Sequence, residues 1–173
     1  MKNLKYAELI GIVFTIVVGS LLHFAFEWSG RHQFIALFSA VNESTWEHMK
    51  LLFFPYMLYA ILEYLCIGNG YSNFAAAKCI GVVCGLALIP ILFYTYTTIL
   101  GTNYFILDIS IFIIAAIVSY IISYNILLNT TPKINGICIL ILILICTAFF
   151  SFTFNPPNCF LFLDPVSNFY GIK

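Results

Sequence analysis

Five long apolar runs, separated by short polar breaks, make up the pattern of this chain. The first, residues 9–26, contains no Asp, Glu, Lys or Arg. At about 1.5 Å per residue it crosses most of a hydrocarbon core about 30 Å thick. The breaks at Gly68-Asn69-Gly70, Gly101-Thr102-Asn103 and Asn129-Thr130-Thr131-Pro132 stop successive helices. The pattern predicts membrane helices over residues 7–27, 45–67, 74–99, 104–128 and 134–152. Residues 28–45 have polar ends around the apolar Phe34-Ile35-Ala36-Leu37-Phe38, which suits a segment lying in or dipping into the interface. The tail, residues 153–173, holds Pro156, Pro157 and Pro165, which stiffen it, and Phe160-Leu161-Phe162-Leu163, which is too short to span. The expected fold is therefore an all-α integral membrane bundle of five helices, a single domain over 1–173. Its interfacial segment follows the first helix, and its C-terminal tail docks on the same face. Gly81 and Gly85, four apart, provide a place where two helix backbones can meet closely.

Composition supports the bilayer as solvent. The 173 residues are 62% hydrophobic and 8% charged, with a mean hydropathy of +1.03; soluble domains are roughly 45–50% apolar and about 25% charged. A net charge of zero with seven Lys and Arg excludes a nucleic-acid partner and leaves the lipid bilayer as the principal one. The six cysteines have no metal-ligand spacing. Five sit in or beside apolar runs as small hydrophobes, and Cys159, in a polar-edged segment, is a possible free thiol. The basic start and apolar run resemble a signal peptide, but the run is too long and lacks a small-x-small cleavage site, so it is expected to be retained.

An odd number of crossings puts the termini on opposite sides. One side collects Lys2, Lys5, Lys78 and Lys133, the other Arg31, Lys50 and Lys173. The positive-inside tendency then places the N-terminus in the cytoplasm and the C-terminus outside, in the cell membrane. On the outer face this gathers Glu27, Glu43, Glu47, Asp108 and Asp164 with His23, His32 and His48.

The densest polar stretch is Val41-Asn42-Glu43-Ser44-Thr45-Trp46-Glu47-His48-Met49-Lys50. Ionisable groups at membrane depth are costly, and each is a functional hypothesis. His23 and Glu27 are spaced i,i+4 on one helical face, as are Glu43 and Glu47. A polar site built from these residues would use Glu43, Glu47 and His48 as catalytic groups. His23, Glu27, Asn42, Lys50 and Asp164 would be its binding groups, and His23, Glu27, Glu43 and His48 the ligands of a divalent metal. The plainer reading is that Ser44-Thr45-Trp46-Glu47 forms a capping box, with Glu47 reaching back to the Ser44 N–H, while Trp46 anchors the interface. Glu63 reads as an interface anchor, and Asp164 either joins the site or opens an Asp-Pro turn. Three function classes stay open: a cation or polar-headgroup site that supports metal-assisted hydrolysis, a small transporter or ion- or proton-conducting protein, and a structural or immunity-type partner without a site.

Three segments carry a resemblance: residues 23–30 (HFAFEWSG), residues 37–51 around Asn42-Glu43-Ser44-Thr45-Trp46-Glu47-His48-Met49-Lys50, and the tail with Leu163-Asp164-Pro165 and Tyr170-Gly171. The chain resembles a family of small integral membrane proteins of Gram-positive bacteria with no assigned function. That resemblance implies a multi-pass protein and no particular activity. In residue types alone there is a looser likeness to membrane hydrolases of the ceramidase and adiponectin-receptor kind, which hold zinc with histidines and an acid. This chain has no HxxxH, and five predicted crossings rather than seven.

Overall fold

In a computed structural model that describes residues 2–129 and 134–172, five long helices form the bundle. They are α1 (Lys2–Trp28), α3 (Thr45–Cys66), α4 (Phe74–Leu100), α5 (Phe105–Leu128) and α6 (Asn135–Phe154); one short helix, α2 (Gln33–Ala36), follows α1. No strand occurs among the described residues. The five long helices are long and apolar enough to cross a membrane. The predicted break at residues 130–133, with Lys133, lies outside the described residues.

The bundle buries polar and charged groups within an apolar core and also turns apolar faces outward. On α1, Ile10, Val13, Val17, Leu21 and Phe24 recur every three or four residues, and each is more than half exposed. The opposite face of the same helix buries Glu8 and Thr15. A helix in water does the reverse, because its apolar stripe is what it must hide.

The start of α3 and the end of α4 follow local chemistry. Ser44 caps α3 by accepting from the Glu47 N–H, and Gly101, at φ 74°, closes α4 in the left-handed conformation with its N–H on the Thr97 carbonyl. By contrast, α1 starts five residues earlier than residue 7. Leu4 is buried against Phe74, Ala77 and Leu127, so tertiary packing extends the helix into the basic N-terminus.

The α4–α5 contact rests on two glycines. A Cβ on Gly81 would lie 2.5 Å from the Ser119 carbonyl oxygen, and one on Gly85 would lie 3.0 Å from the Ala115 carbonyl. Only hydrogen fits at either position. At the other end of α4, the tail packs back on the bundle. Phe162 is buried with its ring 4.8 Å from Trp46 and 5.5 Å from Phe152, and the Tyr94 hydroxyl donates to the Phe160 carbonyl.

Candidate functional site

Asn42 shapes the entry to α3. Its side-chain oxygen accepts from the Ser44 N–H at 2.9 Å, and its amide donates to the Gly171 carbonyl at 3.0 Å, which ties the loop to the tail. This turn presents Glu43 to the bundle. There its carboxylate meets two imidazoles, His23 Nε2 at 3.6 Å and His48 Nε2 at 3.4 Å. One ligand atom from each of the three side chains lies within 4.8 Å of the others, and the two rings are 5.2 Å apart.

The tautomer of His48 follows from its other nitrogen. Nδ1 lies 2.9 Å from the Ser44 carbonyl, which can only accept, so Nδ1 carries a hydrogen and Nε2 faces Glu43: protonated, it pairs with the carboxylate, and deprotonated, it offers a lone pair to a cation. A backbone acceptor behind the ring is how metal-ligating histidines are oriented. His23 Nδ1 is buried without a hydrogen-bond partner among the described residues. The contact from His23 holds the Glu43 carboxyl below its ordinary value of 4.5; partial burial opposes this, and the His48 charge adds to it.

Two cavities open beside the cluster. One, of about 410 Å³, runs between α1, α4 and α5, with His23, Glu43, His48 and Asp108 among walls that include Ile89, Phe93 and Phe112. The other, of about 310 Å³, lies under the tail, with Glu27, Arg31, Glu43 and Asp164 in its lining. Tyr96 donates to Asp108 at the rim of the larger one.

The remaining candidates go elsewhere. Glu47 does not reach back to the Ser44 N–H. Its Oε2 accepts from the Val41 N–H at 3.0 Å and pairs with Lys50 at 2.5 Å. Lys50, fully buried, also donates to the Ala36 carbonyl and the Thr153 hydroxyl. That pair fastens α2, α3 and α6 together and is inaccessible to a substrate. Glu27 turns outward to Arg31 at 2.9 Å, with both side chains more than half exposed, so it is not a fourth ligand. Asp164 does not reach His48 or Lys50. It accepts from the Val166 N–H and the Ser167 hydroxyl, which closes the Asp-Pro turn, and contributes to the site only as cavity wall. His32 caps α2 by accepting from the Phe34 N–H. All six cysteines are free thiols.

A family model described as a family of unknown function, DUF6512, matches residues 1–172. The chain belongs to the DUF6512 family. No curated protein and no solved structure matches this DUF6512 chain.

Sequence reading missed a second polar cluster in this DUF6512 chain. Sequence alone assigns Glu8 no role, counts Lys78 among the charges on the N-terminal side and reads Glu63 as an interface anchor. Instead, Lys78 pairs with Glu63 at 2.6 Å and with Glu8 at 3.0 Å, all three buried. The available signal was spacing. Glu8 and Thr15, seven apart, share the face of α1 opposite Ile10, Val13 and Val17, which marks that face as the inner one.

Proposed function

We propose that this is a multi-pass protein of the bacterial cell membrane whose His23–Glu43–His48 cluster binds a divalent cation, with the N-terminus cytoplasmic and the cluster on the outer face. The observation that carries the reading is the ligand geometry. A tetrahedral centre with bonds of about 2.1 Å has edges of about 3.4 Å; two of the three separations, imidazole to carboxylate, are 3.4 and 3.6 Å, and all three ligand atoms lie within 4.8 Å of one another. Two histidines and one carboxylate form a ligand set used by catalytic zinc sites, which leave a fourth position for water or substrate.

That fourth position would face the larger cavity, whose walls are mainly apolar side chains with Asn103 and Asp108 at one edge. An occupant with an acyl chain and a polar group suits such walls. Bound there, a metal would supply an activated water and would polarise a carbonyl oxygen. The Ser44 carbonyl, holding His48 Nδ1–H, would leave the Nε2 lone pair of the neutral ring for the metal, and Glu43 would supply the negative charge. The reaction class is hydrolysis of a lipid-like ester or amide at the membrane surface.

Purified protein, incubated with Zn²⁺ and desalted, should retain about one equivalent per chain; His48→Ala and Glu43→Gln should retain at least tenfold less. Equal metal in wild type and both variants would remove the site. Metal retention without product release from lipid esters or amides in mixed micelles would leave a cation site and remove the hydrolase. Ion flux into liposomes, abolished by Glu43→Gln, would favour the transporter reading instead.

A further inference from the structure

At the end of the bundle that holds the N-terminus, three charged side chains are sealed from solvent. Glu8 is 4% exposed, Glu63 3% and Lys78 1%. Lys78 Nζ lies 2.6 Å from Glu63 Oε2 and 3.0 Å from Glu8 Oε1, and the Ser123 hydroxyl donates to that same Glu8 oxygen at 3.0 Å. The rings of Phe74 and Tyr120 flank the ammonium at 5.2 and 5.4 Å.

The charges do not balance. Two carboxylates face one ammonium, and among the described residues no other cationic side chain is within ion-pair distance of either acid. From the packed elements come Glu63 and the phenol of Tyr56 on α3, Lys78 on α4, and Ser123 with Tyr120 on α5; apart from the three charged groups, all are neutral. Glu8 Oε2, both Glu63 carboxyl oxygens and the Tyr56 hydroxyl are buried with no hydrogen-bond partner among the described residues, Glu63 Oε2 having only its ion-pair contact with Lys78. The Glu47–Lys50 pair at the other end is different. It has one acid and one base, and both carry further hydrogen bonds.

An uncompensated carboxylate in an apolar interior neutralises rather than stay ionised, and two carboxylates sharing a site cannot both ionise cheaply. Glu63 has the shorter contact with Lys78 but accepts no hydrogen bond, whereas Glu8 accepts two on Oε1 and leaves Oε2 bare, so one proton serves the two carboxyls together.

We propose that the Glu8–Lys78–Glu63 cluster is a proton-binding site, with one exchangeable proton shared between the Glu8 and Glu63 carboxyls and the remaining carboxylate paired with Lys78. Uptake converts one carboxylate to the acid and needs no other reactant. The site is separate from the histidine cluster, since Glu8 and His23 are fifteen residues apart on α1, roughly 22 Å of helix.

Infrared spectroscopy of the protein in lipid nanodiscs, titrated with pH in H₂O and D₂O, reads the proton directly. Wild type should have a deuterium-sensitive carboxylic-acid C=O band at neutral pH, equivalent to one group, that disappears as pH rises. Glu8→Gln, which keeps the Oε1 acceptor for Lys78 and Ser123, should lose it; Glu43→Gln should retain it. A wild-type spectrum without the band overturns the proposal without needing any variant to fold. So does a band that survives Glu8→Gln or disappears only in Glu63→Gln. If the band is missing and the melting temperature rises with NaCl but not with choline chloride, sodium rather than a proton balances the charge, and the proton site is again overturned.

Discussion

Glu43 and Glu47 sit four residues apart and have different fates because of what faces them. Glu47 meets a buried ammonium and a backbone N–H, so it becomes a fastening. Glu43 meets two imidazoles beside open cavities and remains available to a ligand. The hold that His23 exerts on Glu43 has a pH signature. A carboxyl kept below its ordinary 4.5 contributes stability that is complete above that value and fades as pH falls through the lower folded value. In metal-free detergent solution, wild type should therefore melt above Glu43→Gln at about pH 6, by on the order of 2 °C for a half-exposed pair. The gap should close in acid, below pH 4.5. A gap that widens on acidification would contradict the assignment.

Between elements, the close approach of α4 to α5 turns on absent side chains. In Gly81→Ala, the added methyl would meet a carbonyl oxygen of the facing helix at 2.5 Å, and backbone cannot swing aside as a flexible side chain can. The expected cost is about 1–3 kcal/mol, the usual scale of overpacking. Gly136 on α6 has nothing within 4 Å of its Cβ position. There the same change should be neutral, or stabilising by up to about 1 kcal/mol, because alanine is the better helix former. Thermal unfolding of the two variants side by side measures the difference. Similar melting points would mean that the helices do not meet where the glycines place them.

Across the whole molecule, the histidine cluster and the Glu8 cluster mark opposite ends of the bundle. Burial alters the charges that orient it: Lys50 and Lys78 are both neutralised inside ion pairs. This leaves Lys2, Lys5 and Lys133 against Arg31 and Lys173, a margin of one in the same direction as before. Single cysteines at the exposed positions Gln33 and Ser72, in a background without the native six, should label from opposite sides of intact cells, Gln33 from outside. Labelling from one side would remove the shared polar face at the Gln33 end. Labelling with the sides exchanged would invert the orientation and put the His23–Glu43–His48 cluster in the cytoplasm.

Periodicity and composition by themselves determined the all-helical class, the five long elements and the polar stretch at residues 41–50, because lipid-length apolar runs and polar breaks are local properties of a chain. The i,i+4 rule also placed His23 on one face of α1, but it paired His23 with Glu27, its neighbour in sequence. Of the four ligands the sequence named, His23, Glu27, Glu43 and His48, only the tertiary structure brought three together and left Glu27 apart, since Arg31 draws Glu27 outward while the Asn42 turn brings Glu43 in. It likewise decided that Asp164 serves its own turn. The Glu8–Lys78–Glu63 cluster lay furthest from sequence reading: its members stand on three helices, each looks like an interface charge in its own segment, and the energy that makes them matter arises when helix packing removes water from all three together.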